Sequence, residues 1–438
     1  MASSSSLINV NSFKFMVIIP AAGSSERFCA SNSSSMITNE ASTKNRTRSQ
    51  SLPPFFNKKS TSSSSTEKQY TVICNKPLIY HTVAAFLKLK WIDHILVMTA
   101  QNSMPQMQEI LLSLAKQQQK RFNIVPGGSS RHRSIKFGLD FIEAKRIQPD
   151  FIIVHDGARP YLDEQVLHRL VSECYQHGVA GVFCPLTSTI IEPQKETFML
   201  NRVLDRSRYV ASETPQAFRY NLLVNAYQKC STDDLDNNTE CLDLVKRYCK
   251  FDAKLIPVEP SLYFKVTYRK DIYAADHILK EQRNILLHCD FDCEKPNVNY
   301  KFIKELKDDL ISSFVNVKYF SDSVKLKNTL VAHSPGTVHV LLHYCENWSR
   351  VIEQNLAAYE NLVYIVVNSD TDEHNLNDYA SNRLLKWARS AKSKEIRNFY
   401  LIFAHLKDLD QESSRIRNIA VYLSKELPFE FSGQTFFI

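Results

Sequence analysis

The apolar positions of this chain fall into two series. In the first, "FKFMVIIP" (13–20), "HILVMTA" (94–100), "RFNIV" (121–125) and "DFIIVHD" (150–156) are short hydrophobic runs of strand length, and helical periodicity fills the segments between them. Such runs, separated by helices, mark strands covered on both faces, so the pattern predicts a parallel sheet with crossover helices. Pro77 is placed in the first turn of one helix, "PLIYHTVAAFLKLK" (77–90), where its missing amide leaves no bond unmade. The second series begins near Arg283. Strands "NILLHCD", "TVHVLLHY", "NLVYIVVNS" and "NFYLIFAH" alternate there with helices such as "YKFIKELKDDLISSF" and "NRLLKWARSA". The chain therefore divides into a tail (1–13), an α/β domain (14–282) and a second doubly wound α/β domain (283–438).

Between about residues 30 and 66 the periodicity vanishes. Ser, Thr, Asn and basic residues dominate, with Pro53-Pro54-Phe55-Phe56 as an apolar exception. Such a segment buries too little surface to offset its own ordering entropy, so a disordered Ser-rich insert is predicted.

Composition narrows the class. Hydrophobic residues make up 44% and aromatic residues 11%, enough for buried cores. The net charge of +8 is spread without a basic block, which favours acidic small ligands and no nucleic acid. No run reaches the roughly 18 apolar residues of a membrane span, and "MASSSSLINVNSFKF" lacks the charged and apolar regions of a signal peptide. Ten cysteines are scattered without framework spacing, most of them in apolar contexts such as "GVFCPL". These features point to a reducing, cytosolic setting with no membrane association, where the sequons at Asn45, Asn237 and Asn347 stay unmodified.

Candidate chemistry lies in the loops after the strands of the first series. Pro20-Ala21-Ala22-Gly23-Ser24-Ser25-Glu26-Arg27 offers small residues that let backbone amides approach an anion, followed by a guanidinium. Asn75-Lys76-Pro77-Leu78, Gly127-Gly128-Ser129-Ser130-Arg131-His132-Arg133-Ser134 and His155-Asp156-Gly157-Ala158-Arg159-Pro160 are further loops of this kind. Open α/β sheets bind ligands at the carboxyl ends of their strands, and loops facing solvent independently would not coincide there so often.

Six segments carry a family resemblance: "PAAGSSERF", "KQYTVICNKPLIYHT", "GGSSRHRSIKFGL", "HDGARP", "VLDRSRYVASETPQAF" and "FKVTYRKDIYAAD". In this order, across Phe15 to about Leu279, the chain resembles the sugar- and polyol-phosphate cytidylyltransferases typified by 2-C-methyl-D-erythritol 4-phosphate cytidylyltransferase. Segments such as "RHRSI" and "ASETPQAF", with the extra C-terminal domain, look closest to the animal branch that uses ribitol phosphate. The resemblance implies a Rossmann-like nucleotidyltransferase domain interrupted by the insert. It also implies attack of a polyol phosphate oxygen on the α-phosphorus of CTP, with Mg2+ as cofactor and pyrophosphate as leaving group. The product would serve protein O-mannosyl glycosylation. Arg27 and Lys68 would hold the triphosphate and transition state, with Lys265 beside the α-phosphate. Ala21, Ala22, Gly23, Gly127 and Gly128 would meet cytidine through the backbone, and Ser134 the base or ribose. Asp156 would serve ribose and metal, and Arg206 and Thr267 the polyol phosphate. A homodimer formed through an arm at about 186–218 is implied as well.

Each residue also has a structural reading. Lys68 could be a solvated lysine, Asp156 could cap a turn, and Ser134 could cap a helix. His155 and His132 read as packed or surface groups rather than catalysts. The chain departs from the family at Ser25, where a second glycine is usual, at Glu67 in place of proline, and near Leu262, where an acidic residue is usual. Glu240 matches a family acidic position loosely. A second possible site, His288, Cys289, Cys293, His343 and Cys345, lacks paired metal-ligand spacing and reads as packing. Two other functions stay in view: the methylerythritol phosphate reaction, and a catalytically weakened scaffold whose second domain recruits a partner.

Overall fold

The computed structural model describes residues 8–23, 67–117, 121–194, 196–238, 240–289, 298–320, 337–345, 361–368, 398–405, 409–428, 431–432 and 434–437. Arg27, the predicted insert at 30–66 and the predicted helix at 382–391 lie outside them. The chain divides into two compact units, Met1–Ala275 and Asp276–Ile438.

The first unit contains β1 (Phe15–Pro20), β2 (Val72–Ile73), β3 (Lys76–Pro77), β4 (Ile92–Thr99), β5 (Phe122–Pro126), β6 (Phe151–Val154), β7 (Val179–Pro185), β8 (Ile190–Pro193), β9 (Leu200–Leu204), β10 (Val210–Arg219) and β11 (Lys254–Pro257). Seven of them form one sheet in the order β11-β7-β10-β6-β1-β4-β5, while β2–β3 and β8–β9 are separate ribbons. β1 runs parallel to β4 and β6, and β5 parallel to β4. The parallel sheet read from the hydrophobic runs needs one correction: β10 is antiparallel to both β6 and β7. After β7 the chain runs out along β8–β9 and returns beside β7 with no crossover helix, and such a return reverses strand direction.

Successive residues of β1 face opposite layers, as strand geometry requires. Phe15, Val17 and Ile19 pack with Ile79, Val83 and Phe86 of the helix Leu78–Leu87 and with Leu167 and Val171 of the helix Glu164–His177. Met16 and Ile18 pack with Ile135, Leu139 and Ile142 of the helix Arg131–Ala144. Burial of each such side chain contributes about 1.5–3 kcal/mol, which fixes β1 and its flanking loops in place. Pro77 is the residue before the helix rather than within its first turn. Its extended backbone (ψ 145°) still belongs to the β2–β3 ribbon.

The second unit contains β12 (Asn284–Cys289), β13 (Asn316–Phe320), β14 (Val338–Cys345), β15 (Asn361–Asn368), β16 (Asn398–His405) and β17 (Gln434–Phe437). They form one sheet in the order β13-β12-β14-β15-β16-β17, with every pair parallel. Leu287, Val340, Val363 and Ile402 pack with Phe302 and Leu306 of the helix Val298–Ser313 and with Ile416 and Leu423 of the helix Leu409–Glu426. Arg417 joins these two helices by ion pairs to Glu305 and to Asp309 (2.7 Å). Among the described residues, no helix is long and apolar enough to cross a membrane.

Candidate active site

The loops that follow β1, β5 and β6 converge on one cleft. Its walls include Ala21, Ala22 and Gly23 after β1, Gly128 to Arg131 after β5, Asp156 to Ala158 after β6, and Lys68, Gln69, Ser134 and Lys265 from elsewhere in the unit. The Ala21 amide donates to the Met98 carbonyl (2.7 Å) and the Gly127 amide to the Thr99 carbonyl (2.6 Å), which carries both loops one residue past the sheet.

Close packing explains the two glycines. A Cβ on Gly127 would meet Ala22 Cβ at 2.7 Å, and one on Gly128 would meet Arg133 Cβ at 2.4 Å. The loop can therefore lie against both the β1 loop and the first helical turn only because those side chains are missing. Gly127 gives the cleft room, since its amide is engaged by Thr99.

Ser130, not Ser134, caps the helix Arg131–Ala144, accepting from the Arg133 amide at 3.0 Å. Buried Ser134 has another task. Its Oγ accepts from the Gly128 amide (3.0 Å) and donates to the Ser130 carbonyl (2.9 Å), tying the glycine loop to the helix it precedes.

Lys68 lies on a single 3-10 turn, Lys68–Tyr70. Its neighbours fix that turn: Gln69 Nε2 donates to the Ala21 carbonyl (3.0 Å), and Tyr70 OH lies 3.2 Å from Thr99 Oγ1. Glu67 has its pKa raised by burial, against opposing hydrogen bonds from Ser103 and Gln69.

Asp156 is 6% exposed and accepts from three cations: Lys265 Nζ at 2.9 Å, Arg131 Nε at 3.0 Å and Arg159 Nε at 3.4 Å. Burial acts to raise its pKa, but the three cations outweigh burial and hold the carboxyl well below the usual range. Its amide donates to Thr214 Oγ1 (3.2 Å), which anchors the loop to β10. Arg159 also pairs with Glu213.

The two histidines are buried. His155 packs edge-on against Phe86 and places Nε2 2.9 Å from the Arg159 carbonyl, and His132 Nδ1 lies 2.6 Å from Tyr227 OH. Burial pushes both down to about 4, so both are neutral near pH 7.

Of the residues expected from sequence, Ala21, Ala22, Gly23, Lys68, Gly128, Ser134, Asp156 and Lys265 line this cleft. Gly127, Arg206 and Thr267 do not. Arg206 is exposed, follows β9 and donates to the Thr187 carbonyl (2.6 Å). Thr267 sits between Lys265 and the helix Lys270–Glu281, where its amide donates to Asp271 Oδ2 (2.8 Å). Glu240 caps the helix Cys241–Cys249 and accepts from Ser212 Oγ (2.5 Å) and Gln216 Nε2 (2.9 Å). Sequence reasoning assigned no role to Gln69, Arg131 or Arg159. A usable signal existed for the arginines, since each lies within four residues of a strand-end glycine or aspartate already singled out.

In the second unit His288 and Cys289 end β12 and are buried. Cys293 and the side chains of His343 and Cys345 lie outside the described residues. Among the described residues, no group of three or more His, Cys, Asp or Glu side chains is placed to hold a metal ion.

The model of the 2-C-methyl-D-erythritol 4-phosphate cytidylyltransferase family matches residues 60–281, just over half of the chain. The chain belongs to this family. The span matched to the cytidylyltransferase family holds Lys68, the Gly127–Ser134 loop, Asp156 and Lys265, while the β1 loop precedes it. The chain is 36% identical over 289 residues to D-ribitol-5-phosphate cytidylyltransferase of Homo sapiens, covering 65% of this chain and 61% of that one. It is 40% identical over 222 residues to the protein of the same name from Xenopus tropicalis, covering 49% and 53%. The matches thus span between about half and three-fifths of these relatives' lengths. Among solved structures, 4-diphosphocytidyl-2C-methyl-D-erythritol synthase from Anaerococcus prevotii superposes with a TM-score of 0.44 at 18% identity, covering 62% of this chain and 98% of that one.

Proposed function

We propose that this chain is a cytosolic cytidylyltransferase that transfers CMP from CTP to D-ribitol 5-phosphate, giving CDP-ribitol and pyrophosphate, with CDP-ribitol serving protein O-mannosyl glycosylation. The observation that carries this reading is the convergence of two cations, Lys68 and Lys265, with two small-residue loops and Asp156 in one cleft. A substrate phosphate is already a nucleophile, so the reaction needs no general base. It needs alignment of two anions and stabilisation of charge at the α-phosphate and the leaving pyrophosphate.

The residues divide this work. Backbone groups of Ala22 and Gly23 and the carbonyl of Gly128 meet the nucleotide, while the bonds from Ala21 to Met98 and from the Gly128 amide to Ser134 keep these loops oriented before it arrives. Lys68, with Arg27, neutralises the triphosphate. Lys265 is held by Asp156 and transfers its charge to the α-phosphate when nucleotide oxygens compete for it. Asp156 fits a magnesium site: its carboxylate is kept ionised, and Mg2+ is commonly bound by one or two carboxylates together with substrate phosphates. When bound, Mg2+ supplies charge neutralisation at the phosphates.

The exposed apolar ribbon supports a homodimer. Phe198 is 82% exposed, and Ile191, Met199, Leu200 and Val203 are exposed beside it, more apolar surface than a solvated hairpin ordinarily carries. Burying the ribbon against a second copy puts Arg206, which follows β9, at the interface, where with Thr267 it serves the polyol phosphate.

The test is pyrophosphate release and CDP-polyol formation by purified chain with CTP and Mg2+, comparing D-ribitol 5-phosphate with methylerythritol 4-phosphate. A site that hydrogen-bonds an extra hydroxyl can discriminate against its loss by factors on the order of ten thousand. Equal kcat/KM values refute the ribitol assignment, and no reaction with either refutes the enzymatic one.

A further inference from the structure

Four consecutive residues at the start of the helix Arg131–Ala144 are each gripped by one later segment of the chain. Ser130 Oγ donates to the Leu235 carbonyl. Arg131 Nη1 donates to Cys241 Sγ (3.1 Å). His132 Nδ1 lies 2.6 Å from Tyr227 OH, and Tyr227 OH lies 3.4 Å from the same Sγ. Arg133 makes a two-pronged pair with Asp236, at 2.5 and 2.8 Å.

The order of contacts is informative. Cys241 is fully buried, and burial pushes its thiol up, so the sulfur is a neutral acceptor for a guanidinium whose other edge holds Asp156. The short helix Thr232–Asn237 is itself fixed by a capping box between Ser231 and Asp234 and by Arg247 on Asp234 (2.7 Å). The segment is therefore a braced element lying over a loop whose backbone faces the cleft. Ordering such a loop in advance lowers the conformational entropy lost when a ligand binds, which acts on affinity rather than on the chemical step.

We propose that the helix Thr232–Asn237, with Tyr227 before it and Cys241 after it, is a clamp that pre-orders the nucleotide loop, with Cys241 as the positioning residue that aims Arg131 at Asp156. This rests on the nucleotide-binding reading of the cleft. The clamp touches neither substrate nor reacting atoms. Removing the sulfur takes away one of the groups that hold the Arg131 guanidinium in place and lets it turn away from Asp156.

The test compares Cys241→Ala with Cys241→Ser in the full chain, measuring CTP dissociation by calorimetry beside KM and kcat. Cys241→Ala is expected to weaken CTP binding and raise its KM about tenfold, with kcat within about twofold, whereas Cys241→Ser, which keeps an acceptor, stays within about twofold of the parent. At the exposed end, Arg133→Asp is expected to weaken CTP binding about threefold and the exchanged pair Arg133→Asp/Asp236→Arg to recover most of it. Equal CTP affinity in Cys241→Ala and the parent overturns the proposal, as does a loss confined to kcat or an exchanged pair no better than the single reversal. Calorimetry separates this from the proposed reaction: a parent that binds CTP without turning over leaves the affinity comparison decisive, and a parent that binds no CTP overturns the cleft reading and the clamp with it.

Discussion

Lys265 Nζ stands 2.9 Å from Asp156 Oδ2 across 109 positions of sequence, and both residues line the same cleft. The bond joins the loop after β6 to the segment before the helix Lys270–Glu281, so the Lys265 ammonium is held on the side of the cleft that carries the carboxylate. A polyphosphate entering the cleft competes for that ammonium.

Lys265→Ala and Lys68→Ala are expected to lower kcat by about a hundredfold or more, with thermal midpoints within a few degrees of the parent, because their charges act mainly on the transition state. Arg27→Ala should behave likewise by its match to the family motif. Steady-state turnover beside thermal unfolding checks all three, and near-normal turnover in any variant removes its assigned role.

The buried histidines set an acid limit on stability. His132 and His155 ionise only near 4 in the native chain but near 6.5 when unfolded, so the unfolded chain binds more protons between those values. Stability is therefore complete above about pH 6.5 and falls as the pH drops toward 4, by about 2 kcal/mol per histidine at pH 5. Urea unfolding at pH 7 and pH 5 measures this. Replacing His132 with Gln should flatten the dependence, and an unchanged slope would count against it.

Gly128→Ala introduces a Cβ 2.4 Å from Arg133 Cβ and 3.0 Å from its carbonyl carbon, so the loop must move. The expected result is a CTP KM raised by about tenfold or more, with a smaller change in kcat. An unchanged KM would show that the loop does not meet the nucleotide.

Phe198→Asp combined with Val203→Asp places charges on the exposed face of the β8–β9 ribbon. Light scattering at micromolar concentration should find a dimer for the parent and a monomer for the variant. A monomeric parent rules out the assembly.

Deletion of residues 32–62 should leave the thermal midpoint within a few degrees, since their composition offers no periodic apolar face and loop-closure entropy changes slowly with length. A chain that no longer folds would show that this segment packs on the body.

The strands were legible where burial on both faces made them continuously apolar, as in β1, β4, β6, β12, β14 and β15, with helical stretches between, whereas β13, exposed or half-buried over 316–319, was not read as a strand. β10 was harder to place. Its sequence "VASETPQAFR" mixes polar and apolar positions because its first half is partly exposed, and its direction is set by the ribbon that precedes it. The cleft was legible in Ala21 to Gly23, Lys68, Gly128, Asp156 and Lys265, whose loops follow strands or bear a family motif. Cys241 was not. A cysteine in an apolar run reads as packing, and only the fold brings its sulfur to Arg131 from 110 positions away. The family motif singled out Ser134 for the base or ribose but not its bonds to the Gly128 amide and the Ser130 carbonyl, because a hydroxyl one turn into a helix gives no sign of which backbone groups it will bind.

The all-parallel sheet of the second unit has a kinetic consequence. Each strand pair there must wait for the intervening segment to be placed, and contacts between residues distant in sequence slow the search. Until the pairing is complete, runs such as "NLVYIVV" present open edges and apolar faces to other chains emerging from ribosomes. Substitutions at buried positions such as Val340 or Ile365 therefore act first on how many newly made chains reach the folded state.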